Sequence, residues 1–220
     1  MTNSVYNYNM RITILLLLLL NAGFTISQPD KYLAAITKYN EASSFEDERY
    51  RGMTWQQFYK LEEANEFVDP MNYDCDLMNA AIFFAINKYR DGLHLSQLAF
   101  EPRLRDAAMI HSNEMIKRNF FDHSNPYDPK LRMHNLRAEL CGFFGEYLSE
   151  NLSRSFLNMN TPLTYTQLAD KTIKELSYSK DHKKNMTSNN INLLGCGFLC
   201  ENRGSEGIFY FRITHDFGRK

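Results

Sequence analysis

Apolar residues recur at helical spacing in three stretches of this chain of 220 residues. The first, residues 75–91, is apolar over most of its length and is followed by Gly92, a residue type that commonly ends helices. In the other two stretches the apolar side chains fall on one face of a helix. The residues that define these two faces are Leu104, Ala108, His111 and Met115, and then Leu168, Ala169, Ile173 and Leu176. The pattern therefore predicts three helices.

The C-terminal part of the chain is typical of a β-hairpin. Residues 191–200 and 207–217 are rich in β-branched, aromatic and other apolar residues, and the intervening ENRGSEG is typical of a turn. By contrast, residues 127–165 look rich in loops, and residues 180–190 look like a polar loop. The chain is therefore predicted to contain both helices and strands.

The N-terminus predicts a secreted protein. A polar start with Arg11 precedes the apolar run ITILLLLLL, which is shorter than the roughly 20 residues that a membrane-spanning helix needs. This is the pattern of a signal peptide over residues 1–27, cleaved near Ser27. An uncleaved anchor or a buried helix is the alternative. Residues 28–73 form an N-terminal extension with one or two helices, which serves as a packed segment, a pro-segment or a linker.

Composition excludes some classes of protein and allows others. Hydrophobic residues make up 44% of the chain and aromatic residues 14%, which favours a globular protein over a disordered one. The formal net charge of -1 offers no general attraction to nucleic acid.

Secretion makes the four cysteines, Cys75, Cys141, Cys196 and Cys200, candidates for disulfides. If residues 191–200 form a strand, Cys196 and Cys200 lie about 13 Å apart, because each residue of a strand spans about 3.3 Å. That separation is too large for a disulfide. Each should therefore pair with Cys75 or Cys141, and the sequence leaves the choice between them open.

The candidate chemistry lies in three separate polar segments. His123 stands in FDHSNPYDP, a turn by its Asp, Ser, Asn and Pro content. Glu150 stands in SENLS and His182 in SYSKDHKKNM. His111, in contrast, lies on the apolar face of its helix, which favours a core histidine held by a hydrogen bond, with Glu114 as a candidate partner.

The order of these segments resembles the CAP superfamily, which includes cysteine-rich secretory proteins, venom antigen-five proteins and plant pathogenesis-related class-one proteins. The closer resemblance is to its compact bacterial-type branch, and it covers about residues 74–218. The residues that carry it are AINKYRDGLHLSQLAFEPRLRDAAMIHSNEM, FFDHSNP, SENLS, SYSKDHKKNM, GCGF and FYFRITHDFG. The resemblance implies an α+β fold, an α-β-α sandwich with a small antiparallel sheet between helical layers.

The resemblance also implies a cleft formed by His123, Glu150 and His182. The family has a fourth member, an acid on the helix before the second histidine, for which Glu175 is the nearest candidate although it falls a few residues early. Glu146 is a rival for the acidic role. The family's tryptophan on that helix is replaced by Leu176.

Two histidines and a carboxylate suit Zn²⁺ or a similar divalent ion. The resemblance implies a secreted binding protein rather than an enzyme, with a lipid, a sterol or an extracellular protein as partner, and we expect a monomer. One alternative is a metal-dependent hydrolase with Glu150 as the base. Another is a structural or interaction module in which the cleft has no role.

Two asparagines, Asn151 and Asn185, stand in glycosylation sequons. A glycan on Asn151 would obstruct the cleft, so we expect Asn151 to be unmodified. The sequence leaves Asn185 open.

Overall fold

The computed structural model describes residues 49–50, 52–201 and 207–220. The predicted signal peptide and residues 28–48 of the N-terminal extension lie outside these residues, as does most of the predicted hairpin turn. None of the described helices combines the length and the apolar character that crossing a membrane requires.

Six α-helices and four strands make up the described chain. The helices are α1 (Trp55–Phe58), α2 (Cys75–Asp91), α3 (Pro102–Arg118), α4 (His134–Leu140), α5 (Tyr165–Ser177) and α6 (Lys180–Thr187). Short 3-10 turns cover Glu63–Asn65 and Pro129–Leu131. The strands are β1 (Ala99–Phe100), β2 (Tyr147–Asn158), β3 (Leu193–Cys200) and β4 (Ile208–Arg219).

The three predicted helices are confirmed as α2, α3 and α5. The Asp74 side chain accepts hydrogen bonds from the first turn of α2, and Gly92 is the C-cap of this helix. Asn119 ends α3 in the left-handed conformation, with φ 55°. Thr164 opens α5 with a capping box that Gln167 completes.

The strands form one sheet in the order β1-β3-β4-β2. Long antiparallel pairings join β2 to β4 and β3 to β4, which confirms the predicted hairpin of β3 and β4. The two-residue β1 adds a parallel pairing at the β3 edge. The sheet is therefore mixed, with an antiparallel body, and β2 is its other edge strand.

Helices cover both faces of the sheet, as the predicted α-β-α sandwich requires. One face contributes Phe198, Phe211 and Ile213 to a core that includes buried side chains of α2 and α5. The other face packs on α3 at short range. A Cβ atom added to Gly195 would lie 2.0 Å from the Arg105 nitrogen of that helix. Only glycine allows the strand to approach the helix this closely.

Two of the predicted loops are wrong. Residues 127–165 contain α4 and the 12-residue strand β2, which escaped prediction because Glu150, Asn151 and Ser153 are buried and polar. A strand buried on both faces near its middle does not show the usual alternation. Residues 180–190 contain α6, which buries only Met186 and so lacks an apolar stripe.

The described part of the N-terminal extension packs against the main core. Phe58 is fully buried, and its ring stacks on Phe84 of α2 with a centroid separation of 4.5 Å. Val68 is also buried and donates its backbone N–H to the carbonyl of Leu163. Residues 52–73 therefore contribute to the core, and the boundary at residue 74 stays a prediction.

No disulfide joins the four cysteines, all of which lie in the described ranges. Cys196 is 2% exposed in the main core. Cys141 contacts a separate small cluster on the α3 side of the sheet, formed by Leu104, Ala107, Ala138 and Phe143. The predicted disulfide pairing is not confirmed.

Candidate functional site

The candidate site is built on two consecutive residues of the edge strand β2, Glu150 and Asn151. Consecutive side chains of a strand point to opposite faces of its sheet. Both residues are nearly or completely buried, at 5% and 0% exposure. Each holds one of the two histidine-bearing segments, so a single step along β2, at the edge of the sheet, links the layers on its two faces.

On one face, Glu150 holds the His123 turn together with Arg137 of α4. His123 Nδ1 lies 2.7 Å from Glu150 Oε1, and the other carboxylate oxygen accepts a hydrogen bond from Arg137. Arg137 is fully buried and also donates to the carbonyl oxygens of Leu131 at 2.7 Å and Arg132 at 3.3 Å. The guanidinium thus neutralises the buried carboxylate and fastens the loop that carries His123.

The His123 turn is also held from α3. His111 Nε2 lies 3.0 Å from the carbonyl oxygen of Asp122, the residue before His123. His111 is fully buried, and burial lowers its pKa to about 4, so the ring is neutral and donates to this carbonyl. The prediction of a core histidine is confirmed, but its partner is Asp122 rather than Glu114. Glu114 instead accepts a hydrogen bond from Asn125.

On the other face, Asn151 holds the segment that carries His182. Asn151 Nδ2 donates to the carbonyl oxygen of His182 at 2.9 Å. Asn185, one turn along α6, donates to Asn151 Oδ1 at 2.8 Å and to the carbonyl oxygen of Glu150 at 3.2 Å. Both sequon amides are therefore engaged in the folded protein, and the buried Asn151 has no room for a glycan.

The two histidines have opposite electrostatic surroundings. The hydrogen bond to Glu150 raises the pKa of His123. Partial burial lowers the pKa of His182, and the nearby charge of His123 lowers it further. The two imidazoles therefore lie close enough for one charge to influence the other. Within the described ranges, the His182 ring makes no hydrogen bond.

Glu150 remains a carboxylate in this environment. Burial alone would raise its pKa, but the hydrogen bond from His123 and the charge of Arg137 outweigh that effect and lower it. Asp216, the cross-strand neighbour of Glu150, responds in the opposite way. It is fully buried with no hydrogen-bond partner among the described residues, and burial raises its pKa far above the ordinary range. Of these two adjacent buried acids, Glu150 is therefore ionised and Asp216 holds its proton.

The structure does not bring the two other acidic candidates to this cluster. Glu175 pairs with Lys171 at 2.9 Å and lies near Ser155, which is about 13 Å along β2 from Asn151. Glu146 is exposed and precedes Glu150 by four residues. These contacts therefore do not support a role for Glu175 or Glu146 in the cleft.

Sequence reasoning missed Arg137 and Asp216. Arg137 lies in a segment that was predicted to be rich in loops, and no sequence pattern marks an arginine that is buried by its bonds to Glu150 and to the carbonyl oxygens of Leu131 and Arg132. Asp216 follows His215 in THDF, and strand alternation alone predicts that one of these two polar residues points inward. In fact both are fully buried.

The side chains around the two histidines fit a divalent ion only in part. No group of three or more His, Cys, Asp or Glu side chains that could hold a metal occurs among the described residues. Both oxygens of Glu150 are engaged, so a set of three protein ligands that includes Glu150 does not fit. The imidazole chemistry does fit, because a His123 ring that bonds a carboxylate through Nδ1 keeps Nε2 for another partner.

One solved structure, with a TM-score of 0.50, supports the fold, and two others resemble it less closely. An outer surface protein of Borrelia burgdorferi matches with 13% identity and a TM-score of 0.50, over 71% of this chain and 98% of that one. An extracellular protein with an SCP domain from Bacillus anthracis matches with 23% identity and a TM-score of 0.49, over 65% of this chain and 40% of that one. Venom allergen-like protein 4 of Schistosoma mansoni matches with 15% identity and a TM-score of 0.42, over 64% of this chain and 88% of that one.

No curated protein matches the sequence. The sequence does match a protein family over residues 83–213, more than half of the chain, and the family is described as "CAP: Cysteine-rich secretory protein family". The match includes the segments that carry His123, Glu150 and His182, together with most of the sheet. The chain therefore belongs to the CAP family of cysteine-rich secretory proteins.

Proposed function

We propose that this protein is a secreted CAP-domain binding protein whose cleft can hold a divalent cation such as Zn²⁺ between His123 and His182. The observation that carries the proposal is the hydrogen bond from His123 Nδ1 to the buried, arginine-paired carboxylate of Glu150. A histidine oriented in this way presents Nε2 in a fixed direction, and this carboxylate–histidine arrangement is common behind metal ligands. Glu150 acts as the orienting partner of the ligand and is not itself a ligand.

His182 supplies the second donor in this proposal. Its lowered pKa keeps the ring neutral at physiological pH, which is the form that binds metal. The segment that carries His182 is fixed because the Asn151 side chain donates a hydrogen bond to the His182 carbonyl oxygen. Two imidazoles leave most coordination positions to water or to a ligand, so we expect modest affinity and an open site.

The same contacts favour binding over hydrolysis. A general base needs a pKa near the working pH and a free oxygen within reach of a water. The pKa of Glu150 is lowered, and its two oxygens bond His123 and Arg137. Glu175 and Glu146 make no contact with this cluster in the described chain. A metal-dependent hydrolase with Glu150 as base is therefore the weaker alternative.

Secretion is supported by the apolar run in residues 12–20 and by the descriptions of similar structures. The Bacillus anthracis protein is described as extracellular and the Borrelia burgdorferi protein as an outer surface protein. The partner in the cleft or on the surface remains one of the expected classes, a lipid or sterol or an extracellular protein.

Zinc titration by calorimetry on the metal-stripped protein tests the proposal. We expect about one ion per chain, with binding lost in the His123→Ala/His182→Ala variant and retained in His94→Asn. His94 is exposed, and asparagine tolerates its left-handed conformation, φ 57°, so this variant is a matched control for a surface histidine.

The pH dependence adds a second test. Protons compete with the metal at His123, whose pKa is raised above the ordinary 6.5, so zinc affinity should already fall as the pH decreases towards 6.5. Absence of zinc binding in the folded wild type at pH 8 would overturn the metal proposal. Equal binding in the double variant would place the ion elsewhere.

A further inference from the structure

The free edge of β3 is covered by the start of α2. Phe198 donates its backbone N–H to Asn79 Oδ1 at 2.8 Å, and the Phe198 carbonyl accepts from the Cys75 thiol at 3.4 Å. The Cys200 N–H donates to the Tyr73 hydroxyl at 3.0 Å. Side chains of Tyr73, Cys75 and Asn79 thus satisfy an edge that would otherwise be open to pairing with another strand.

These contacts fix how the start of α2 is aligned along the end of β3. The contacts run in opposite directions along the two segments. Tyr73 contacts the Cys200 N–H, Cys75 contacts the Phe198 carbonyl, and Asn79 contacts the Phe198 N–H. Cys75 therefore lies between Phe198 and Cys200. Tyr73 also interacts with the Cys75 thiol, so one hydroxyl group contacts both the side chain of Cys75 and the backbone N–H of Cys200.

We propose that Cys75 and Cys200 form a disulfide that fastens the start of α2 to the end of β3. The Cys75 thiol contacts the carbonyl of Phe198, which is two residues before Cys200, and Tyr73, which contacts this thiol, also accepts a hydrogen bond from the Cys200 N–H. A disulfide needs Cα atoms within about 7 Å. The bond therefore requires the Cys75 side chain to turn from the Phe198 carbonyl towards Cys200.

The remaining two cysteines stay as thiols. Cys196 is two residues from Phe198 on the side of Asn79, away from Cys75, and it is packed into the main core. Cys141 contacts the small cluster around Leu104 on the opposite face of the sheet. The sheet therefore separates Cys141 from Cys196, and the Asn79 side chain, which contacts both the Cys75 thiol and the Phe198 N–H, lies on the Cys196 side of Cys75.

A low-molecular-weight disulfide, such as the oxidised form of a secreted thiol buffer, is the oxidant. One protein thiolate attacks it and releases one small thiol, and the second protein thiolate then displaces the other small thiol from the mixed disulfide. The protein loses two protons and two electrons, and the oxidant becomes two thiols. Burial raises the pKa of the Cys75 thiol to about 12, so the exchange should occur during folding rather than afterwards.

The test is to refold the full chain in oxidised and reduced glutathione, alkylate it in denaturant, and map peptides by mass spectrometry. We expect two alkylated cysteines, Cys141 and Cys196, and one cross-linked peptide pair containing Cys75 and Cys200. Reduction should lower the melting temperature by about 10 °C, because a native disulfide of this kind constrains a long loop.

Three variants make the result specific. Cys75→Ser and Cys200→Ser should each lose the cross-linked pair and the oxidation-dependent part of the melting temperature, whereas Cys141→Ser should keep both. Four alkylated cysteines in the folded, oxidised wild type would overturn the proposal, and so would a cross-link that includes Cys141 or Cys196. The peptide map of the wild type decides the matter even if a variant fails to fold. The outcome does not depend on whether the cleft binds metal.

Discussion

The buried pair of Arg137 and Glu150 gives a quantitative prediction. Replacing Arg137 with methionine keeps the side-chain volume approximately but leaves the Glu150 carboxylate buried without its cation. Breaking a buried ion pair in this way costs about 3–5 kcal/mol. The variant also removes the donor to the Leu131 carbonyl, which is 2.7 Å away in the wild type. Against a total stability of about 5–15 kcal/mol, Arg137→Met should be severely destabilised.

A double-mutant cycle separates the ion pair from these other losses. Glu150→Gln removes the negative charge and leaves an oxygen that still accepts a hydrogen bond. Combined with Arg137→Met, it should cost at least about 2 kcal/mol less than the sum of the two single changes. The measurement is urea unfolding at pH 7, with the midpoint and slope compared across all four proteins.

Arg90 offers the control for this cycle. It is buried, like Arg137, but among the described residues it donates only to the carbonyl oxygens of Ser96, Met186 and Ser188. Arg90→Met should therefore add to Glu150→Gln within about 0.5 kcal/mol. If the Arg137 cycle showed no more coupling than the Arg90 cycle, the guanidinium would not be what stabilises the Glu150 charge, and the reasoning would be refuted.

Three further changes test other parts of the site and fold. Asp216→Asn should stabilise the protein at pH 7, because the Asp216 carboxyl ionises above about pH 3.8 in the unfolded chain but holds its proton in the folded one. The free energy of unfolding of the wild type should therefore fall by up to about 1.4 kcal/mol per pH unit above that pH. Unfolding measured from pH 4 to 7 should show that the variant lacks this contribution. Gly195→Ala should cost about 3 kcal/mol or more, since its Cβ would lie 2.0 Å from a backbone nitrogen, whereas Gly92→Ala, with 3.6 Å of room, should change thermal stability by less than about 1 kcal/mol. His111→Phe should weaken zinc binding by loosening the turn at Asp122 while the far-UV circular dichroism stays native; unchanged zinc affinity would argue against this positioning role.

The elements that could be predicted from sequence are those with a one-sided apolar pattern. The helices α2, α3 and α5 bury an apolar stripe or nearly all of their apolar residues. The strand β3 is a short run of mostly apolar residues, and β4 is rich in β-branched and aromatic residues. The strand β2 escaped because its buried positions are filled by charged and amide side chains that support the site. A polar residue at a buried position is stabilised by distant partners, which the local pattern does not contain.

The candidate site could be predicted only in part from the sequence, for the same reason. His123, Glu150 and His182 were identified through the order of their motifs, and the structure brings His123 directly onto Glu150. Arg137 was not identified, although it is the only buried cation bonded to Glu150 among the described residues. Its partners are carbonyl groups from a loop that folds back on α4, so its role arises from tertiary structure alone.

The most direct test of the account is the protonation state of the His123 ring, measured by nitrogen-15 NMR at a pH above the His123 pKa. We predict that Nδ1 carries the proton, that Nε2 does not, and that zinc shifts the Nε2 resonance of His123 while Glu150→Gln weakens the shift. A ring protonated at Nε2, or a His123 spectrum that zinc leaves unchanged, would contradict the claim that Glu150 orients this histidine to bind a cation.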